Sequence, residues 1–223
     1  AGTTGSGKSE ALRAIVASLV LLNRQGECQL VLIDPKCRGL TPFAGLPHLL
    51  AAPARNAAEA AYLLEASVEE MERRDADGTC RPRIVIVIDE LADLLMLGGP
   101  DVESRLTRLV QRGRGAGIHV VAATQKPAAS VISSLIRSNF PMRIVGRVVS
   151  AQDAHIAAGV AGSNAERLLG RGDMLAVVQG RCIRFQGAYI SEGEIARLVQ
   201  AGRRRGPGAR PAVPLRLTGG QDA

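Results

Sequence analysis

Two kinds of apolar pattern alternate along the chain. Short apolar runs predict strands, which in chain order cover residues 29–33, 83–88, 117–123, 142–149, 173–178 and 182–190. Apolar positions at helical spacing predict helices over residues 9–23, 57–74, 128–139 and 191–201, with another that begins at Asp101 and a short one before Leu169. Strands that alternate with helices favour an α/β fold, a mostly parallel sheet covered by helices on both faces.

The pattern ends near the carboxyl terminus. From Arg203 onward the sequence is rich in Arg, Gly and Pro and has no periodicity. Such a composition does not bury a core. We therefore divide the chain into a folded domain over residues 1–202 and a basic tail over residues 203–223, which is either disordered or a linker.

Composition excludes several classes of protein. The chain is 46% apolar and 22% charged, as in an ordinary soluble domain, which excludes a disordered protein, a coiled coil and a collagen-like fibre. Its longest uncharged apolar run has nine residues, too few to span a bilayer. The four cysteines form no C-x-x-C pair, so we expect reduced thiols of a cytoplasmic protein and no metal cluster.

Charge is distributed unevenly around the net value of +7. The acidic segment, residues 59–103, holds twelve acidic and four basic side chains. The basic segment, residues 104–152, holds eight basic side chains and no acidic one. Such a segment is typical of a polyanion partner or an acidic neighbouring subunit, and equally of a solvated arginine-rich surface.

A phosphate-binding pattern opens the chain. Residues 2–9 (GTTGSGKS) match G-x-x-x-x-G-K-[ST]. Its glycines let backbone N–H groups face phosphate oxygens, Lys8 supplies a charge to the β- and γ-phosphates, and Ser9 offers a hydroxyl to Mg²⁺. We therefore predict a site for ATP and Mg²⁺ in the phosphate loop, formed by Gly2, Thr3, Thr4, Gly5, Ser6, Gly7, Lys8 and Ser9.

The strand that normally precedes such a loop is not visible in the sequence. The chain starts at Ala1, one residue before the first glycine of the pattern, and that residue is not Met. We expect the strand to lie upstream in a longer product, which leaves one position of the sheet unfilled here.

Two carboxylates follow the strand at 83–88. Asp89 is placed to support Mg²⁺ through a water, and Glu90 to activate the attacking water as a general base. Thr124 and Gln125 end the next strand at the same edge, where Gln125 would sense the γ-phosphate; a simple turn is the alternative.

Three further charged residues lie near this edge. For Asp34, at the end of the first strand, a structural turn is at least as good an interpretation as a functional one. Lys36 is a candidate for contact with DNA or a neighbouring subunit, and Asp93 for a surface or capping charge.

Several longer stretches accompany the phosphate loop, namely AGTTGSGKSE (1–10), LIDPK (32–36), MERR (71–74), VIDELADLL (87–95), RGRGAGIHVVAATQKP (112–127), LIRSNFPMRIVGRVVS (135–150) and LLGRGDML (168–175). A phosphate loop alone is shared by many ATPases, but its combination with GIHVVAATQKP and LLGRGDML is specific. In these stretches the sequence resembles the FtsK/SpoIIIE family of DNA translocases.

The resemblance implies a RecA-like motor domain that forms a hexameric ring around double-stranded DNA, with ATP between subunits. It implies that Asp89 supports the metal, that Glu90 activates water and that Gln125 is the sensor. It also implies an arginine supplied by the neighbouring subunit. The candidates, for each of which a surface salt bridge is the alternative, are Arg73, Arg74, Arg112 and Arg114.

The resemblance gives the basic segment two roles. Some of its side chains are expected to face the acidic segment of the adjacent subunit, and others to reach DNA phosphates. Arg167 and Arg171 are further candidates for DNA or interface contacts, and for Arg171, which lies between two glycines, a tight backbone turn is the alternative. Five aromatic residues and no Trp argue against base stacking and therefore favour duplex DNA.

Two alternative functions stay open. One is a secretion ATPase of the related type VII systems, which moves protein; the GRGDML stretch is more similar to the DNA branch. The other is a nucleotide-binding module without hydrolysis, against which the intact Lys8, Ser9, Asp89 and Glu90 argue. For the longer product, the resemblance implies a cytoplasmic motor that is anchored to the membrane upstream.

Overall fold

A computed structural model describes residues 1–125 and 132–204. Three strands, β1 (Cys28–Ile33), β2 (Arg83–Ile88) and β3 (Ile118–Ala122), form a parallel sheet in the order β1–β2–β3. All of β1 and all of β2 after Arg83 are buried. The continuous apolar runs of the sequence therefore correspond to strands covered on both sides.

Alternate residues of the strands face two separate cores. Val31 and Ile33 pack with α2 (Ala57–Asp77) and α3 (Leu91–Arg112) on one face. Leu30 and Leu32 pack with α1 (Lys8–Leu22) on the other face. This confirms the predicted parallel sheet with helices on both sides.

The third helix begins ten residues earlier than predicted. The run Gly98-Gly99-Pro100 predicts that no helix crosses this point. Gly99 is non-helical, with φ 62°, but helix continues on both sides of it, so the run forms a kink inside α3. Helix precedes the kink because Leu91, Leu94 and Leu95 are buried against the sheet.

A second sheet differs from the prediction of a mostly parallel arrangement. Strands β4 (Met142–Val145), β5 (Asp173–Val178) and β6 (Arg181–Gln186) are antiparallel, in the order β4–β5–β6. Residues Gln179 and Gly180, at φ 49° and 77°, join β5 to β6 as a tight hairpin of the kind that positive φ values allow. Strands β4 and β6 end four residues before the predicted limits of 149 and 190.

The described residues also form three further α-helices, α4 (Ser134–Ser138), α5 (Ala151–Ala158) and α6 (Glu192–Arg204), and two short 3-10 helices, Thr41–Phe43 and Ala165–Arg167. The predicted helix over 128–139 lies partly outside the described residues, as does most of the predicted tail. Helix α6 continues past the predicted boundary at residue 202. Within the described residues, no helix combines the length and the apolar character needed to cross a membrane.

The start of the chain joins the two sheets. Gly2 N donates to Thr124 O beyond the end of β3, at 3.3 Å. Thr3 N donates to Arg147 O beyond the end of β4, at 2.9 Å. The phosphate loop therefore lies between the parallel and the antiparallel sheet.

Candidate nucleotide site

The phosphate loop leads directly into α1. Gly5 and Gly7 have φ values of 79° and 92°, which favour glycine. Gly7 precedes the first helical residue, Lys8, and no side chain of the described residues caps α1. The free N–H groups and the positive end of the helix dipole are therefore available to an anion.

Lys8 connects this loop to both predicted carboxylates. Its Nζ donates to Asp89 O at 3.0 Å and lies 3.7 Å from Asp89 Oδ1 and 3.7 Å from Glu90 Oε2. Asp89 and Glu90 are 7% and 4% exposed, so these charges are largely shielded from water. Burial raises the pKa of Asp89, while the charge of Lys8 acts in the opposite direction.

Gln125 bridges the acidic pair and the loop. Its backbone N–H donates to both carboxylate oxygens of Glu90, at 3.1 Å each. Its side-chain Oε1 accepts from Thr4 Oγ1 at 3.3 Å. The structure thus brings the three predicted catalytic side chains to one sheet edge, next to the loop.

Asp34 organises the neighbouring turn. Its fully buried carboxylate accepts backbone N–H groups from Arg38, Gly39, Leu40 and Thr41, at 2.8–3.2 Å. This agrees with the structural interpretation of Asp34. Lys36 pairs with Asp93 of α3, and this hydrogen bond raises the pKa of Lys36.

A cavity of about 520 Å³ extends from the phosphate loop, within the range of small-molecule sites. Its lining includes Thr3, Thr4, Lys8 and Ser9 of the loop, together with Gln125. It also includes three residues that the sequence patterns did not assign to the site, namely Arg171, Gln186 and Tyr189. Arg171 belongs to the LLGRGDML stretch, but no sequence signal marks Gln186 or Tyr189.

The residues present fit a nucleotide with its magnesium ion. Asp89 Oδ1 is buried and, among the described residues, has no hydrogen-bond partner. No group of three or more His, Cys, Asp or Glu side chains in the described chain could hold a metal alone. An ion beside Asp89 and Ser9 would therefore depend on phosphate oxygens, as is usual for Mg²⁺.

Three of the four candidate arginines have partners in their own chain. Arg74 is 2% exposed, and its guanidinium donates to Glu70 Oε1 at 2.6 Å, Pro82 O at 2.7 Å and Ala116 O at 3.0 Å. Arg73 pairs with Glu70 and Asp77, and Arg112 pairs with Asp75 at 2.7 Å. Arg114 is exposed, and no described residue forms an ion pair with it.

The acidic and basic segments also meet within one chain. Helices α2 and α3 are connected by the pairs Glu65–Arg105, Glu72–Arg108 and Asp75–Arg112. These three arginines, which we expected to be available to a neighbouring subunit or to DNA, already have acidic partners. Lys126 lies outside the described residues.

The sequence matches the FtsK/SpoIIIE family over residues 1–77 and 75–129. The DNA translocase FtsK of Sporosarcina ureae is 39% identical over 227 residues, which cover 89% of this chain and 29% of that protein. The DNA translocase FtsK of Staphylococcus aureus strain Mu50 is 40% identical, with 89% and 29% covered. The chain thus spans less than a third of the length of these curated relatives.

Two solved structures share the fold. The pCW3 conjugation coupling protein TcpA, in a monomer form with ATPγS, superposes with a TM-score of 0.72 at 23% identity, over 90% of this chain and 63% of that one. The cytoplasmic domain of the type VII secretion ATPase EccC of Thermomonospora curvata gives 0.78 at 24% identity, over 96% and 28%. With a RecA-like α/β fold and the family match over most of its residues, this chain belongs to the FtsK/SpoIIIE family.

Proposed function

We propose that this domain binds ATP with Mg²⁺, hydrolyses it and uses the energy to move double-stranded DNA. The observation that carries the chemistry is the position of Lys8, 3.7 Å from a carboxylate oxygen of each of Asp89 and Glu90. A cation and two buried carboxylates beside an uncapped helix end are the parts that phosphoryl transfer needs. The proposal that DNA is the molecule moved is supported by the relatives that are named DNA translocases.

Each residue of the site has a distinct role in this proposal. The loop amides and Lys8 bind the phosphates, and Lys8 exchanges its carboxylate contacts for phosphate oxygens. Ser9 and Asp89 hold Mg²⁺, which when bound neutralises charge on the phosphoryl group that is transferred.

Glu90 is the proposed general base. It takes the proton of the attacking water, and the N–H of Gln125 orients its carboxylate. The side chain of Gln125 lies beside Thr4 of the loop, which suits a sensor of the γ-phosphate. The adenine end of the nucleotide would lie against Tyr189, which lines the cavity and is 74% exposed.

We further propose a ring, of six subunits as in the family resemblance, in which a neighbour contributes an arginine to this site. Arg114 is the first candidate, because Arg73 and Arg112 would have to leave acidic partners and Arg74 is enclosed. The ring would act in the cytoplasm as the motor part of a longer, membrane-anchored protein. Exposed arginines such as Arg147 and Arg171 are candidates for DNA phosphate contacts.

The test is the steady-state ATPase rate with and without linear duplex DNA. We expect stimulation by DNA that falls as salt rises, and a loss of about 10²–10⁴-fold in Glu90→Gln. Glu69→Gln is the matched control, because Glu69 is an exposed glutamate of α2 outside the site. Hydrolysis that is indifferent to DNA would favour the secretion alternative, and binding without hydrolysis would favour the non-hydrolysing module.

A further inference from the structure

The LLGRGDML stretch forms a turn that packs against the phosphate loop. Gly170, Arg171 and Gly172 have successive positive φ values of 83°, 52° and 91°. The left-handed conformation is unfavourable for a residue with a side chain such as Arg171, so the surrounding contacts must hold it. The turn precedes β5 and lies between that strand and the loop.

Two backbone hydrogen bonds join this turn to the loop. Arg171 N donates to Gly5 O at 3.0 Å, and Gly172 N donates to Ser6 O at 2.9 Å. The two segments are in such close contact that a Cβ atom at Gly7 would lie 2.4 Å from Gly172 N. The turn therefore determines the direction of two loop carbonyl groups.

The direction of these carbonyls matters for an anion. A trans peptide plane carries its C=O and the following N–H on opposite edges. When Gly172 holds Ser6 O, the N–H of Gly7 points away from the turn, and Gly7 lines the cavity. A phosphate needs such N–H groups already aimed at it, because reorienting them on binding reduces affinity.

Asp173 holds the turn from its other side. Its carboxylate accepts from Leu169 N at 2.7 Å and from Arg184 Nε and a terminal guanidinium nitrogen at 2.8 and 2.7 Å. These bonds lower the pKa of Asp173 to about 2, so it is ionised at neutral pH. A second contact closes the turn from the residue after β6, where Gly187 N donates to Gly172 O at 2.7 Å.

We propose that Asp173 is a positioning residue for nucleotide binding: it holds the turn 170–172, whose amides fix the phosphate loop with the N–H of Gly7 facing the cavity. This inference rests on the proposed function, since it assigns the ligand of the loop as the phosphates of ATP. It gives the LLGRGDML stretch a role that is separate from DNA contact.

The first test compares two glycine substitutions that carry the same backbone strain. Gly172→Ala places a Cβ at positive φ, 2.8 Å from Gln186 Nε2 and 3.2 Å from Gly187 O. Gly180→Ala is the matched control at the other end of β5, with φ 77° and no atom within 4 Å of the new Cβ. We expect Gly172→Ala to weaken binding of a fluorescent ATP analogue with Mg²⁺ by about tenfold, and Gly180→Ala to leave it unchanged.

A second readout does not depend on nucleotide. Hydrogen exchange of the amides of residues 5–9 is measured in the free full chain. It should be faster in Gly172→Ala than in Gly180→Ala, when both are measured at the same interval below their own melting temperatures. Equal affinities and equal exchange in the two variants would overturn the inference. If the wild-type protein binds no nucleotide, the proposed function fails, and the exchange measurement still decides whether the turn positions the loop.

Variants of Asp173 keep the inference testable if Gly172→Ala does not fold. Asp173→Ala removes the acceptor for Leu169 N and should raise KM for ATP by about tenfold while kcat changes little, because no reacting group is touched. Asp173→Asn retains an acceptor for that N–H and should recover most of the affinity. A fall in kcat with unchanged KM, or no recovery in Asp173→Asn, would contradict a positioning role.

Discussion

Gly39 lies so close to Asp89 that a Cβ atom at position 39 would stand 2.8 Å from Asp89 Oδ2. The turn that carries Gly39 is held by the buried carboxylate of Asp34 and by Arg13 of α1, whose Nε donates to Gly39 O at 2.9 Å. The proposed magnesium ligand therefore rests against a backbone that cannot move easily. A residue with no functional group of its own thus limits where Asp89 lies.

Gly39→Ala should displace the Asp89 carboxylate and weaken its support of Mg²⁺. Substitutions behind a metal ligand cost about 10- to 100-fold in metal affinity or activity, and we expect a rise of that size in the Mg²⁺ concentration for half-maximal ATPase. Gly26→Ala, where the new Cβ meets nothing within 4 Å, is the control. An unchanged Mg²⁺ titration in Gly39→Ala would show that Asp89 does not hold the ion.

Asp89→Asn should stabilise the nucleotide-free domain at neutral pH. Because burial raises the pKa of Asp89 in the folded state, its ionised form opposes folding, and this cost is absent below the unfolded value of 3.8. We expect the melting temperature of Asp89→Asn to exceed that of the wild type, by a difference that grows as pH rises above 3.8. A gain that is equal at pH 3 and pH 7 would contradict this origin.

Arg74→Ala should destabilise the fold rather than the chemistry. It leaves the 8%-exposed Glu70 short of a partner and the buried carbonyls of Pro82 and Ala116 without their donor. We expect a loss of about 3–5 kcal/mol in the free energy of unfolding, against less than about 1 kcal/mol for the half-exposed Arg73→Ala. Urea denaturation measures both, and normal stability with lost ATPase in Arg74→Ala would restore Arg74 as the trans arginine.

Arg114→Ala should abolish ATPase in the assembled protein with little change in stability. The exposed side chain has no ion-pair partner among the described residues, so its loss breaks no intrachain ion pair. If Arg114 acts on the next subunit, mixing Arg114→Ala with Glu90→Gln subunits restores part of the activity, because some interfaces combine an intact base with an intact arginine. Arg24→Ala is the exposed control, and a mixture with no activity would exclude Arg114.

The parallel sheet, and the polar residues that meet at one of its edges, can be predicted from the sequence because both depend on local pattern. Strands β1 and β2 are uninterrupted apolar runs, and Lys8, Asp89 and Glu90 follow from the loop motif and from a strand that ends in two acids. The carboxyl ends of parallel strands meet at the same edge of a sheet. The contact between Gln125 and Glu90 can therefore be predicted from the order of strands and helices along the chain.

The sequence does not reveal which distant segments contact each other. The apolar runs at β4, β5 and β6 predict strands but neither their pairing nor their direction. Only the Gln179-Gly180 turn indicates an antiparallel hairpin. The pairing of Glu65 with Arg105 depends on the packing of α2 on α3. Counts of charged residues alone therefore do not show whether this ion pair forms within one chain or between two subunits. Likewise, nothing local distinguishes the buried Arg74 from the half-exposed Arg73.

Because Gly2 bonds to the end of one sheet and Thr3 to the end of the other, the phosphate loop spans the seam between them. A force that slides the antiparallel sheet past the parallel one must deform this loop, and by reciprocity occupancy of the loop must resist that sliding. The affinity for nucleotide would then vary with mechanical tension on the domain, which single-molecule measurements of KM for ATP under load would detect.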